Sequence, residues 1–324
     1  MKRFWVSVFI VELLGAAIMA FSQGAQAAPA KLIPFYTPAS GGSAYVQGAG
    51  IVSISNKYLT GTTFVHEGAA GSMDIVRRMM QREAQKTATF GMFGNVDAWN
   101  ATQGNNEYAG KPYKSLRAIS YCLGTDSYFV VPAASPIKSY ADAKGKRIGL
   151  GSAGGTGSNT AVFMLEQHGI SKKDFKPYYY AYNEVVQGIQ DGSLDAGFLV
   201  GGFPIPAYTE LSTVHNVRIV PVDDKVADRI VKEYPYYYRT VIKAKSYKGL
   251  ERDTPIVGFS TSLWTQASVE DELVYRFIKN LFDHRDEYIA IHSAGKDLTL
   301  ENARKGAILP FHPGADRYLK EKGK

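Results

Sequence analysis

From Lys31 onward the chain repeats one unit: a short apolar run, a loop of glycine and small hydroxyl residues, then a segment of helical period. That alternation points to parallel strands joined by crossover helices, because a tight turn cannot close a parallel pair. Lys31–Tyr36 reads as the first strand and Ser40-Gly41-Gly42-Ser43 as the loop ending it. Tyr45–Leu59 then carries Val46, Ala49, Ile51, Val52 and Tyr58 on an incompletely periodic helical face. Phe64-Val65-His66 is a second strand. Gly68–Ser72 leads into a helix over Met73–Gln81, with Ser72 the expected N-cap. Thr89–Phe93 is a third strand, followed by a turn at Gly94-Asn95 and a helix through Trp99.

Ile119–Leu123 and Tyr128–Val131 read as two strands joined by a turn at Gly124-Thr125-Asp126. A second series then opens. Ile137–Gly149 gives a short helix, a glycine turn and a strand, Gly151–Gly157 a glycine-rich loop, and Ser158–His168 a helix closed by Gly169. Phe175–Tyr180, Glu184–Gln190, Asp195–Val200, Pro206–Leu211 and Arg218–Val222 continue the alternation. Ile256–Ser260 is a late strand, and Val269–Phe282 a helix with Leu273, Val274, Phe277, Ile278 and Leu281 on one stripe. With 324 residues, 45% of them hydrophobic, there is material for two cores. The expectation is an α/β fold of two lobes, each a mixed sheet flanked by helices, with the ligand cleft between them. One lobe takes 28–127 and 238–324, the other 128–237.

The first residues fall outside that scheme. Lys2 and Arg3 precede the apolar stretch Phe4–Phe21, and Ala25-x-Ala27 fits a signal-peptidase site, so 1–27 reads as a removed signal peptide and the product as periplasmic. The rival reading is an uncleaved anchor; Glu12 and the small-residue exit argue for removal. The single cysteine, Cys122, allows no intramolecular disulfide and lies in an apolar run, so it reads as a buried strand residue rather than a reactive thiol. The formal charge is +7, one less without Lys2, Arg3 and Glu12. Its bases are dispersed in short clusters such as Arg77-Arg78 and Lys172-Lys173, with no basic stripe for nucleic acid.

The chemistry is concentrated in loops that follow strands, where open α/β sheets bind ligands. Gly151-Ser152-Ala153-Gly154-Gly155-Thr156-Gly157-Ser158-Asn159 is the strongest. Its glycines let backbone approach a ligand, and its free amides at a helix N-terminus favour an anion. Thr156, Ser158 and Asn159 add side-chain donors. The bland reading is a capped helix after a turn. The loop lacks the Gly-Lys-Ser/Thr ending of a phosphate-binding loop and the dinucleotide glycine spacing, so nucleotide chemistry is disfavoured. Ser40–Tyr45, Gly94-Asn95-Val96-Asp97 and Gly201-Gly202-Phe203-Pro204 have the same placement. Ser135-x-x-Lys138 lacks the companion motifs of penicillin-recognising enzymes, no Gly-x-Ser-x-Gly elbow occurs, and the six histidines are scattered without metal-site spacing. No catalytic residue, metal or cofactor is therefore expected. Tyr178-Tyr179-Tyr180, Tyr182 and Tyr236-Tyr237-Tyr238 read mostly as packing, since adjacent strand residues face opposite sides.

Taken together the motifs resemble the TAXI family of TRAP-transporter solute-binding proteins. The similarity runs through Gly-Gly-Ser-Ala-Tyr at 41–45, Gly-Ser-Met-Asp-Ile at 71–75, the 137–147 stretch, Asp-Gly-Ser-Leu-Asp-Ala-Gly-Phe at 191–198, Gly-Gly-Phe-Pro-Ile-Pro-Ala at 201–207, Glu-Tyr-Pro-Tyr-Tyr at 233–237 and His-Pro-Gly-Ala at 312–315. The resemblance implies a type II-like periplasmic-binding-protein fold. It also implies a monomer that captures a small carboxylate or amino acid, glutamate among them, and delivers it to a sodium-linked membrane permease. Matching loops imply Ser43 and Tyr45 in one lobe and Thr156, Ser158 and Phe203 in the other as ligand contacts. Gly42, Gly155, Gly157, Asn159 and Asn95 complete the expected site. After the third strand many relatives carry Gln-Ser-Asp; this chain has Gly94-Asn95-Val96, which changes the hydrogen-bonding groups there. The alternatives are a binding component of an ABC importer and a secreted hydrolase using Ser135 or another serine.

Overall fold

The structure, a computed structural model, describes residues 31–38, 40, 42–105 and 108–324; the expected signal peptide lies outside them. The first series folds as read: β1 (Lys31–Thr37), α1 (Ser43–Tyr58), β2 (Thr62–Gly68), α2 (Ser72–Ala84), β3 (Phe90–Gly94) and α3 (Asn95–Gln103). β1 lies parallel to both β2 and β3, as crossover helices require.

The next element differs from the expectation. Leu116–Pro132 is one strand of 17 residues, β4, with no turn at Gly124-Thr125-Asp126. Its partners override local turn chemistry: Leu116–Asp126 pairs antiparallel with β10 (Thr254–Gln266), and Asp126–Val130 pairs antiparallel with β7 (Ala196–Gly201). β10 is likewise longer than expected, at 13 residues.

The second series supplies β5 (Arg147–Gly149), α4 (Thr156–Gln167), β6 (Lys176–Tyr178), α5 (Tyr182–Gln190), β7, α6 (Pro206–Val214), β8 (Val217–Val220), α7 (Asp224–Glu233) and β9 (Tyr237–Ile242). After β10 come α8 (Asp271–Asp283), α9 (Arg285–Ile291) and α10 (Pro313–Glu321). The strand order is β2-β1-β3-β10-β4-β7-β5-β6, with β8 on β4 and β9 on β10. β4 and β10 thus belong to both halves, and the chain crosses between them along these two strands.

Each half has its own core. In the first, Phe277 of α8 packs on Phe35, Phe64 and Phe90, with ring centroids 6.2, 5.3 and 4.7 Å away. Truncating such a ring costs about 3–5 kcal/mol. In the second, Phe129, Ile148, Leu165 and Phe198 pack on one sheet face and Tyr128, Val185, Leu199 and Tyr208 on the other. Ile242, Tyr247, Leu250 and Ile256 join that second core. Part of the stretch expected in the first lobe, from Ile242 to Ile256, therefore contributes to the core of the body at 128–237, where β9 pairs with the near end of β10. Cys122 is buried beside Tyr288, its Sγ 3.0 Å from the phenol oxygen, and burial pushes the thiol up to about 12, so it is inert. No helix among the described residues is long and apolar enough to cross a membrane.

Candidate functional site

Four helices start at the line where the halves meet. α1, α2, α3 and α4 have Gly42, Gly71, Gly94 and Gly155 as N-caps, and none of the four makes a side-chain cap bond. Two other helices are capped by side chains: Asp223 accepts from the Lys225 and Val226 amides at 2.9 and 3.2 Å, and His312 Nδ1 from the Gly314 amide at 3.3 Å. The first amides of a helix have no acceptor inside it and carry partial positive charge.

Two of the four ends are compensated. Asp74, in the first turn of α2, accepts from the Ala70 amide at 3.3 Å and pairs with Arg77 and Arg78. Asp97, in the first turn of α3, accepts from the Thr156 hydroxyl. The first turns of α1 and α4 contain no acid. These two ends, one from each half, border a single cavity of ≈ 120 Å³ that is partly open to solvent.

Of the ten residues expected at the site, Gly42, Ser43, Gly155, Thr156, Gly157 and Ser158 line this cavity. The other four do not. Tyr45 packs against β2, its ring centroid 4.7 Å from that of His66. Asn95 is 1% exposed and donates from Nδ2 to the Gly306 carbonyl at 2.6 Å, fastening the segment before α10. Phe203 is 44% exposed, lying edge-on to Tyr247 at 5.3 Å. Asn159 is exposed on α4. Each follows a cavity residue by a step that turns its side chain to another face.

The sequence reading passed over the rest of the wall. Thr125 and Thr261, on the two crossing strands, hold their hydroxyls 2.6 Å apart. Phe93, Leu123, Val200 and Phe259 supply apolar surface, and Tyr182, read as packing, closes one side. The Tyr182 hydroxyl accepts from the Val200 amide at 3.2 Å. Gly157 is required beside it: a Cβ there would stand 2.2 Å from that oxygen. Gly151 and Gly154 take the left-handed conformations that bring the loop back to the helix, with φ of 89° and 69°. Ser72, the expected N-cap, is instead the first residue of α2.

The halves touch across the cavity. Ser43 Oγ donates to the Gly202 carbonyl at 3.1 Å, and Thr156 Oγ1 bridges Ser72 Oγ and the Asp97 carboxylate. Gly71 meets Gly154 and Gly155 backbone to backbone, so closely that a Cβ would lie 2.7 Å from the Gly154 oxygen. Among the described residues no group of three or more metal-ligating side chains occurs. Ser135 lies outside the cavity, in a turn where its Oγ accepts from the Ile137 amide at 3.2 Å.

The architecture is shared with solved structures of binding proteins and others. The alkanesulfonate-binding protein SsuA from Xanthomonas axonopodis pv. citri is 16% identical, with a TM-score of 0.50 over 90% of this chain and 84% of that one. XAC2383 from Xanthomonas citri is 12% identical, with a TM-score of 0.52 over 90% and 95%. A TctC solute-binding protein from Polaromonas is 14% identical, with a TM-score of 0.50 over 91% and 99%. At these identities the likeness is one of fold: two α/β halves joined by crossing strands. Residues 35–323 match the NMT1-like family, and the chain belongs to it.

Proposed function

We propose that this chain is an extracytoplasmic solute-binding protein. It captures a small organic anion or amino acid by closing its halves and passes it, unchanged, to a membrane permease. The observation that carries the reading is the convergence on one cavity of two helix N-termini, one from each half, that have no side-chain cap and no acid in their own first turns. Six of the ten residues expected at the site border it, which supports the same reading. Micromolar binding corresponds to about −8 kcal/mol. One helix end supplies about 0.3–2 kcal/mol, so two ends, the hydroxyls and the contacts made on closing must act together. A ligand touching both halves stabilises the closed form by its differential affinity for it.

The TAXI resemblance supports a TRAP-type permease as the partner, and the signal pattern at 1–27 supports export to the periplasm. Delivery to an ABC importer is the second reading, favoured by a fold shared with an alkanesulfonate-binding protein. Mass spectrometry of molecules retained through purification tests capture; recovery of no small molecule, with no thermal shift by any anion, refutes it. Uptake by vesicles carrying the neighbouring permease separates the partners, since a sodium gradient drives one and ATP the other.

A further inference from the structure

Building on the binding reading above, we infer that the solute is a small acid with one negative charge, no amino group and an apolar body. Size comes first. An apolar cavity of about 150 Å³ holds benzene, so a cavity of ≈ 120 Å³ suits a molecule of about six non-hydrogen atoms or fewer.

Charge comes second. Among the described residues that line the cavity, none is Asp, Glu, Lys, Arg or His. An anion is still served there by the first-turn amides of α1 and α4, through Ser43, Ala44, Thr156, Gly157 and Ser158. An ammonium group has no such seat. The nearby buried carboxylate, Asp97, stands outside the lining and takes the Thr156 hydroxyl. The Gly202 carbonyl, the acceptor on the opposite wall, takes the Ser43 hydroxyl. A buried charge without a partner is strongly disfavoured.

A second anionic group is no better placed. Arg77 and Lys111 lie in a separate groove of ≈ 370 Å³. Gly71 and Gly154 border that groove, and their backbone contact divides it from the cavity. Arg77 is already paired with Asp74. Phe93, Leu123, Val200 and Phe259 give the rest of the wall most of its surface, which suits a short hydrocarbon body, while the Thr125 and Thr261 hydroxyls bond to each other and the Tyr182 hydroxyl takes the Val200 amide.

Carboxylates and sulfonates share this chemistry and are separated by the test. The purified mature chain, stripped of retained solute by unfolding and refolding, is titrated calorimetrically with butanoate, ethanesulfonate, butanamide, alanine, glutamate and glutarate. Butanoate or ethanesulfonate is expected to bind about 100-fold or more tightly than alanine, which matches them in size but adds an ammonium group. Butanamide, glutamate and glutarate should be as weak as alanine. Which of the two monoanions binds more tightly assigns the headgroup. Alanine, glutamate or glutarate binding as tightly as the monoanions overturns the inference and leaves the binding reading standing. The same holds if no monoanion binds while a retained solute of another class is recovered. If no probe binds and nothing is retained, both fall.

Discussion

Gly71 shows how much of the site depends on what is missing from a side chain. Its backbone is extended, with φ 167°, so any residue could adopt it. A Cβ, however, would lie 2.7 Å from the Gly154 oxygen and 2.8 Å from the Gly155 Cα, across the boundary between the halves. Gly71→Ser keeps a good N-cap residue, so the unliganded chain should unfold within about 0.5 kcal/mol of the parent. Solute affinity should fall about tenfold or more by calorimetry, because the halves no longer meet; unchanged affinity would show that this contact is not part of closure. Asp126 carries a different residue-scale prediction. It sits on β4 where pairing passes from β10 to β7, facing the Tyr128 hydroxyl at 3.4 Å, with Asp297 and Tyr238 nearby. Burial pushes its carboxyl up to about 6, with the Asp297 charge adding to the rise. Between about pH 4 and 6 the folded chain holds a proton that the unfolded chain releases. Raising the pH through that window therefore lowers stability, by about 3 kcal/mol at most. Asp126→Asn should be more stable than the parent above pH 6 and indistinguishable from it near pH 4, as measured by urea unfolding across pH. A parent stability that is flat over the window would count against the buried-acid account. Gly71 stood out in the sequence only as part of the motif at 71–75, with nothing to show its approach to Gly154, and Asp126 sat in a Gly-Thr-Asp triplet of ordinary turn composition.

At the scale of elements, the strand-loop-helix periodicity was readable because it reports local packing. The parallel β1-β2 and β1-β3 pairs and the helices between them follow from it directly. What failed were two readings that tertiary pairing overrides. Gly124-Thr125-Asp126 looks like a turn, yet cross-strand bonds from β10 and β7 keep it extended. Tyr182 opens a helix rather than standing in a strand, so the alternating-face argument applied to the tyrosine runs does not reach it. The glycine N-caps of α1 and α4 also set helix stability against binding. Around Gly42 a Cβ meets nothing within 4 Å, and φ −102°, ψ 156° suits an aspartate. Gly42→Asp should cap α1 and complement its dipole, stabilising the unliganded chain by about 0.3–1 kcal/mol. It also places a negative charge beside the cavity, so anion affinity should drop about tenfold or more. A higher Tm with weaker binding is the expected pair of results. A higher Tm with undiminished binding would place the anion elsewhere.

For the whole molecule, the proposed closure sets a few polar contacts between two large cores that meet at α3, where Val96 and Trp99 pack on the second core. The cores differ in the chain segments they use, and the crossing strands β4 and β10 belong to both. Bending these two strands would change the gap between the halves, with Val96, Trp99 and Ile308 the first-half side chains that shift against the second core. Thr156 is the contact with most at stake: its hydroxyl reaches Ser72 and Asp97, both on the opposite half, and Asp97 is 2% exposed. Removing a hydrogen bond to a buried charged group costs about 1.5–3 kcal/mol. Because Thr156 meets these partners across the gap, that cost falls on the closed form, whereas in an open form water replaces the hydroxyl at Asp97. Thr156→Val, which keeps the shape, should therefore weaken solute binding about 10- to 100-fold while unliganded stability changes much less. Thr156→Ser, which keeps the hydroxyl, should restore binding. Small-angle scattering distinguishes this from loss of a ligand contact alone. At saturating solute the parent and Thr156→Ser chains should contract to the same radius, whereas Thr156→Val should stay a mixture of wide and narrow forms. Full contraction of the valine variant at saturation would assign the hydroxyl to the ligand rather than to the closing of the halves.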